Sequence, residues 1–128
     1  MTVKNLWSLL LRKSKLYRYR SIFRVLFWLA LIGSYVAAVL PQDMAPTIGP
    51  LSDKAHHVLA FVILGLLLRL AYQINYWYAL VFLMGYGAFI EFSQLYAVNR
   101  SAEIEDVAAD LVGSLIGLKL YKYLRKVI

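Results

Sequence analysis

The sequence contains no cysteine. Disulfides, thiol catalysis and cysteine-ligated metal are excluded with it. Charge is scarce as well, at 16% of the chain, against about 25% in soluble domains. Acids are the scarcer sign: 7 Asp and Glu face 14 Lys and Arg, for a net charge of +7. Neither HExxH nor a comparable ligand spacing occurs around the 2 histidines. What is abundant is apolar, at 62% of the 128 residues, where soluble domains hold roughly 45–50%. A soluble domain of this length has no core large enough to hide that surface. The composition implies one domain and an integral membrane protein.

A transmembrane helix needs about 20 mainly apolar residues. The first candidate covers residues 22–40 and is stopped by Pro41, which lacks the N–H to continue a helix. The second covers 55–72, the third 76–98 and the fourth 106–121. The fourth is the shortest and most charged, and its alternative is an amphipathic helix lying on the membrane. Ahead of them, Leu6, Trp7, Leu9, Leu10 and Leu11 precede a basic run. A signal peptide has the opposite order and a small-residue cleavage site. Residues 1–20 therefore read as a basic, amphipathic, cytoplasmic interfacial helix. The expected fold is all-α: an integral membrane bundle of four transmembrane helices over residues 21–128, preceded by that helix.

Basic residues concentrate on the cytoplasmic side of membrane proteins. Lys4, Arg12, Lys13, Lys15, Arg18, Arg20 and Arg24 precede or open the first span. Arg69 lies near the second connection, and Lys119, Lys122, Arg125 and Lys126 close the sequence. Four spans put all three groups on one face and leave only Lys54 and Arg100 opposite. The acids do the reverse. Asp43, Asp53, Glu91, Glu103, Glu105, Asp106 and Asp110 all fall in outer loops or outer halves of spans. The expected location is the inner membrane, multi-pass, with both termini cytoplasmic. The basic excess then serves topology and contact with anionic membrane lipids, and nucleic acid is not an expected partner.

The outer level gathers the polar residues. Pro50 and Ser52 mark the start of the second helix, with Ser52 a plausible N-cap. Asp53 is explained as a first-turn acid facing the helix dipole. Lys54 and His57 are not so explained. His56 points about 100° away from His57 and reads as an interfacial spectator. Glu91 lies about 10 Å inside the third span at 1.5 Å per residue, at the dipole end that disfavours an acid. It should face the interior beside Gln94, with Lys54, His57 and Arg100 as candidate partners. Asp106, Asp110, Gly113 and Gly117 share one face of the fourth helix, extended by Ala109. The glycines form a GxxxG, whose default meaning is close helix packing.

Ionisable residues from three helices at one depth are a functional-site hypothesis. An imidazole oriented by a carboxylate, with a second carboxylate opposite, permits acid–base work. His57, Glu91, Asp106 and Asp110 also permit a metal, but without a recognised ligand spacing no metal and no cofactor is expected. The bland alternative is a paired Glu91 that only holds helices together.

These residues resemble the VanZ-like membrane proteins. The resemblance is carried by Asp53-Lys54-x-x-His57-x-x-Ala60-Phe61 and Gly87-x-x-x-Glu91-x-x-Gln94, then Asn99-Arg100, then Asp106 with Gly113-x-x-x-Gly117. It covers roughly residues 50–120. The family pattern has Asn four residues after the last Asp, where this sequence has Asp110. The resemblance implies the four-helix architecture and treats the polar residues as a set. Its name comes from a protein associated with low-level resistance to teicoplanin, and it supplies no reaction.

Three functions compete. One is an envelope membrane protein whose outer pocket binds an anionic or lipid-linked component, with Lys54 and Arg100 on a phosphate. A second is a proton-coupled carrier, for which four short helices without a repeat argue poorly unless the chain forms a homo-oligomer, for instance through the GxxxG. A third is a structural or regulatory subunit in which the cluster only fixes helix register.

Overall fold

The computed structural model describes residues 18–40, 53–97 and 104–127. They form four helices: α1 (Arg20–Val39), α2 (Asp53–Ala71), α3 (Tyr76–Gln94) and α4 (Ile104–Val127). No strand occurs among the described residues. The interfacial helix expected over residues 1–20 falls almost wholly outside them, as do Pro41, Pro50, Ser52 and Arg100.

Two ends differ from expectation. α3 stops at Gln94 rather than Val98. Its last carbonyls are taken by tight turns, Leu95 N–H to Phe92 O at 3.3 Å and Tyr96 N–H to Ser93 O at 3.1 Å, the i→i+3 bonding that closes a helix. Glu91 consequently sits about 4.5 Å from the helix end at 1.5 Å per residue, not 10 Å inside it. α4 is the longest helix at 24 residues, well beyond 106–121. Arg125 and Lys126 in its last turn suit the negative end of the helix dipole.

The four-residue connection after Ala71 makes α2 and α3 antiparallel neighbours. Asn75 caps α3, its side-chain oxygen accepting from Trp77 N–H at 2.9 Å. At that end Arg24 donates from Nε to Ala71 O at 3.2 Å and stacks over the Tyr72 ring at 4.9 Å. Trp28 Nε1 donates to Tyr72 OH at 2.9 Å. These contacts pin α1 to the α2–α3 turn. Further along, the Tyr86 hydroxyl and the Ser34 hydroxyl lie 2.7 Å apart, and both reach Leu31 O, at 2.7 and 2.9 Å. With one proton each, one hydroxyl donates to the carbonyl and the other to its neighbour.

α4 packs most extensively on α2, and glycine makes that possible. A side chain at Gly113 would run into Val58 O and meet Phe61 Cβ at 2.9 Å. One at Gly117 would run into Val62 O and meet Leu66 N at 3.1 Å. From the facing side, a Cβ at Gly65 would lie 3.3 Å from Ser114 O. The two backbones thus approach as closely as small residues allow. The GxxxG is spent inside the chain, so it is not the face through which a second copy would dock.

Phe27, Phe61, Leu64, Leu68, Ala79, Leu83, Ile90 and Leu118 make one apolar core. Outside it the usual pattern inverts. Leu29 (63%), Val81 (68%) and Phe92 (59%) are exposed, while Asp106 (2%), Asp110 (0%) and Gln94 (1%) are buried. Acids are almost never fully buried in water-soluble domains unless paired. An apolar exterior around buried polar groups is the arrangement lipid favours. By length and composition, α1 and residues Lys54–Ala71 of α2 can cross a membrane.

Candidate functional site

The site lies where the N-termini of α2 and α4 meet the C-terminus of α3. α4 builds its floor. Asp106, Ala109, Asp110, Gly113, Ser114, Gly117 and Leu118 are its buried residues, spaced three and four apart, so one stripe faces inward. Asp106 and Asp110 occupy the first two turns of α4. Ser114 follows, its Oγ donating back to Asp110 O at 2.7 Å.

His57 comes from the second turn of α2. Its Nδ1 lies 2.8 Å from Asp110 Oδ1, and its Nε2 lies 3.9 Å from Asp106 Oδ2. The imidazole is thus flanked by a carboxylate at each nitrogen. Its side chain is 10% exposed and that of Asp110 is fully buried. Lys54, one turn earlier, lies 3.3 Å from Glu105 and 3.7 Å from Asp106.

α3 closes the third side with Gly87, Glu91 and Gln94. Gly87 gives room to the acid opposite: a Cβ there would lie 2.8 Å from Asp110 Oδ2 and push that carboxylate aside. Glu91 is 8% exposed, and a ligand atom of His57, Glu91 and Asp110 each lies within 4.8 Å of the other two. Gln94 Nε2 donates to Ala38 O at 3.1 Å, tying α1 to the same end. Its Oε1 has no hydrogen-bond partner among the described residues.

The VanZ/LLP1 profile matches residues 5–125. The chain belongs to the VanZ/LLP1 family. The resemblance read from its motifs is thereby borne out. No curated protein and no solved structure matches the sequence. Family and apolar helices together point to a membrane protein. The departure from the VanZ-like pattern at Asp110 acquires a physical meaning: a carboxylate here can hold a protonated imidazole, which an amide does far less strongly.

The structure therefore brings together Lys54, His57, Glu91, Asp106 and Asp110, with Gln94 one turn beyond Glu91 and bonded to Ala38. Arg100 and the Asp53 side chain lie outside the described residues. Two contacts add to the sequence reading. Lys54 is engaged by Glu105 and Asp106 on α4. His57 meets Asp110 directly, in addition to its place beside Glu91. Glu105 and Ser114 join the cluster without having been singled out as members. Ser114 was legible as a small residue inside the GxxxG, one turn after Asp110. Chemically, an imidazole between two carboxylates can pass a proton from one to the other. Together with Glu91 it can also hold a cation.

Proposed function

We propose that this chain is a four-span protein of the bacterial inner membrane whose outer-facing polar cluster engages a cell-envelope component and influences susceptibility to teicoplanin-type glycopeptides. Both termini are cytoplasmic in this reading, and residues 1–20 lie along the inner surface. The observation that carries it is the buried His57–Asp110–Glu91 group, assembled from three helices at one end of the bundle. The opposite end carries Arg24, Arg69, Lys119, Lys122, Arg125 and Lys126, the asymmetry that sets membrane orientation. Membrane lipids surround the apolar exterior.

The charge balance bears on the ligand. Three buried carboxylates face Lys54 and His57 among the described residues. A lipid-linked or anionic head group binding Lys54 directly would displace it from Glu105 and Asp106. Such a ligand fits better on Arg100 or through a bridging cation. The test replaces His57 and Glu91 singly and measures glycopeptide susceptibility at equal membrane abundance. Altered susceptibility supports the reading, and wild-type susceptibility contradicts it.

A second reading has its own support in the His57–Asp110 contact and the α2–α4 glycine packing: a structural or regulatory subunit in which the cluster is a clasp. It predicts that the same substitutions lower thermal stability and abundance, with any phenotype falling only in proportion. A proton-coupled carrier, prompted by Glu91 beside His57, predicts pH-dependent flux in proteoliposomes that Glu91→Gln abolishes.

A further inference from the structure

We propose that His57, Glu91 and Asp110 form a binding site for a single first-row divalent cation, with zinc as its representative. Each ligand comes from a different helix, α2, α3 and α4, which is why no short sequence spacing announces the site. One donor atom from each lies within 4.8 Å of the others. At metal–ligand lengths of about 2.0–2.2 Å in tetrahedral geometry, ligand atoms stand about 3.3–3.6 Å apart. The His57–Asp110 separation of 2.8 Å is a hydrogen-bond distance, so an ion bound here has those two atoms part by about half an ångström while Glu91 draws in from within 4.8 Å.

The contact calls for a proton or a metal ion between its two atoms. A ring-nitrogen lone pair and a carboxylate oxygen repel at 2.8 Å unless one of these lies between them. A proton on Nδ1 meets that need in the hydrogen-bonded form. A metal ion meets it equally and engages Glu91 in the same act. An imidazolium releases its Nδ1 proton as the dication binds, and the charge of the site rises by one; a neutral imidazole carries its proton on Nε2 instead, toward Asp106, and the charge rises by two.

The donor chemistry selects the ion. One imidazole nitrogen with two carboxylate oxygens suits zinc, manganese or ferrous iron. Calcium and magnesium prefer oxygen ligands alone. The surroundings form a built site rather than a surface patch. Asp110 is fully buried and Glu91 is 8% exposed, and Gly87 holds the α3 backbone directly against Asp110 Oδ2. Gln94 places a further buried amide oxygen one turn beyond Glu91. Asp106, 3.9 Å from His57 Nε2, is set to hold the ring's other nitrogen, the orienting role that carboxylates play behind metal-bound histidines. The site does not depend on the envelope reading, although a cation here would supply its bridge.

The test uses the full chain in detergent, carrying an affinity tag free of histidine. The protein is stripped with a chelator, loaded with zinc alone at neutral pH, gel-filtered and analysed for metal. The expected result is about one zinc per chain, a thermal transition raised by zinc, and X-ray absorption showing nitrogen and oxygen ligands with one imidazole. His57→Gln, Glu91→Gln and Asp110→Asn each lower occupancy about tenfold or more, in line with loss of a ligand. Lys119→Gln, at the exposed far end of α4, keeps wild-type occupancy. Wild-type protein holding less than about one zinc in ten chains, or occupancy unchanged in all three ligand variants, overturns the proposal. Because the wild-type measurement decides by itself, a variant that fails to fold does not rescue it.

Discussion

His57 and Asp110 meet at 2.8 Å across the α2–α4 interface, the imidazole 10% exposed and the carboxylate fully buried. By contrast, Lys54 and Glu105 are 44% and 77% exposed at 3.3 Å. Exposed pairs of that kind contribute under about 1 kcal/mol. The energetic weight of the cluster therefore rests on the buried contact. Truncating one member of a buried pair costs about 3–5 kcal/mol, because the other is left in low dielectric.

Asp110→Ala should accordingly destabilise the protein by about 3 kcal/mol, whereas Glu105→Ala should change stability by less than about 1 kcal/mol. Thermal or denaturant unfolding in detergent, followed by helicity, measures both. A double-mutant cycle of His57→Gln with Asp110→Asn should show coupling well outside additivity.

Glycine substitutions should sort by what faces them. Gly113→Ala and Gly117→Ala drive a methyl into the carbonyls of Val58 and Val62, and overpacking of this kind costs about 1–3 kcal/mol. Gly33→Ala and Gly85→Ala meet nothing within 4 Å and should be neutral or stabilising by up to about 1 kcal/mol through helix propensity. The same unfolding measurement on four variants checks the contrast.

The absence of cysteine makes orientation easy to read. A lone cysteine at Tyr96, 78% exposed beyond the end of α3, should react with a membrane-impermeant maleimide in intact spheroplasts. One at exposed Gln73 in the α2–α3 connection should react only after lysis. The reverse pattern would contradict the proposed topology.

Much of the architecture was legible because one-dimensional patterns encode it. The spacing of Asp106, Asp110, Gly113 and Gly117 places them on one stripe whatever surrounds the helix, and the structure buries that stripe. The four helices among the described residues follow from apolar run length in the same way. Two things were not legible. Where α3 ends depends on the tight turns after Phe92, so the depth of Glu91 was overstated. Which acid meets Lys54 or His57 depends on the register between helices. That register is set by the glycine contacts of α2 with α4, and nothing within either helix alone reveals it. The Ser34–Tyr86–Leu31 group is illegible for the same reason, since 52 residues separate its hydroxyls.

The central claim is that the His57–Glu91–Asp110 cluster engages a ligand and is more than a clasp. Its most direct test is the glycopeptide susceptibility of a bacterial host carrying wild-type protein or Glu91→Gln, with membrane abundance matched by immunoblot. Glu91 is buried, and the substitution preserves its shape while removing its charge. The account predicts that the wild-type protein changes teicoplanin susceptibility and that Glu91→Gln abolishes the change. A wild-type protein that leaves susceptibility unchanged, or an equally abundant variant that acts as the wild type does, would contradict it.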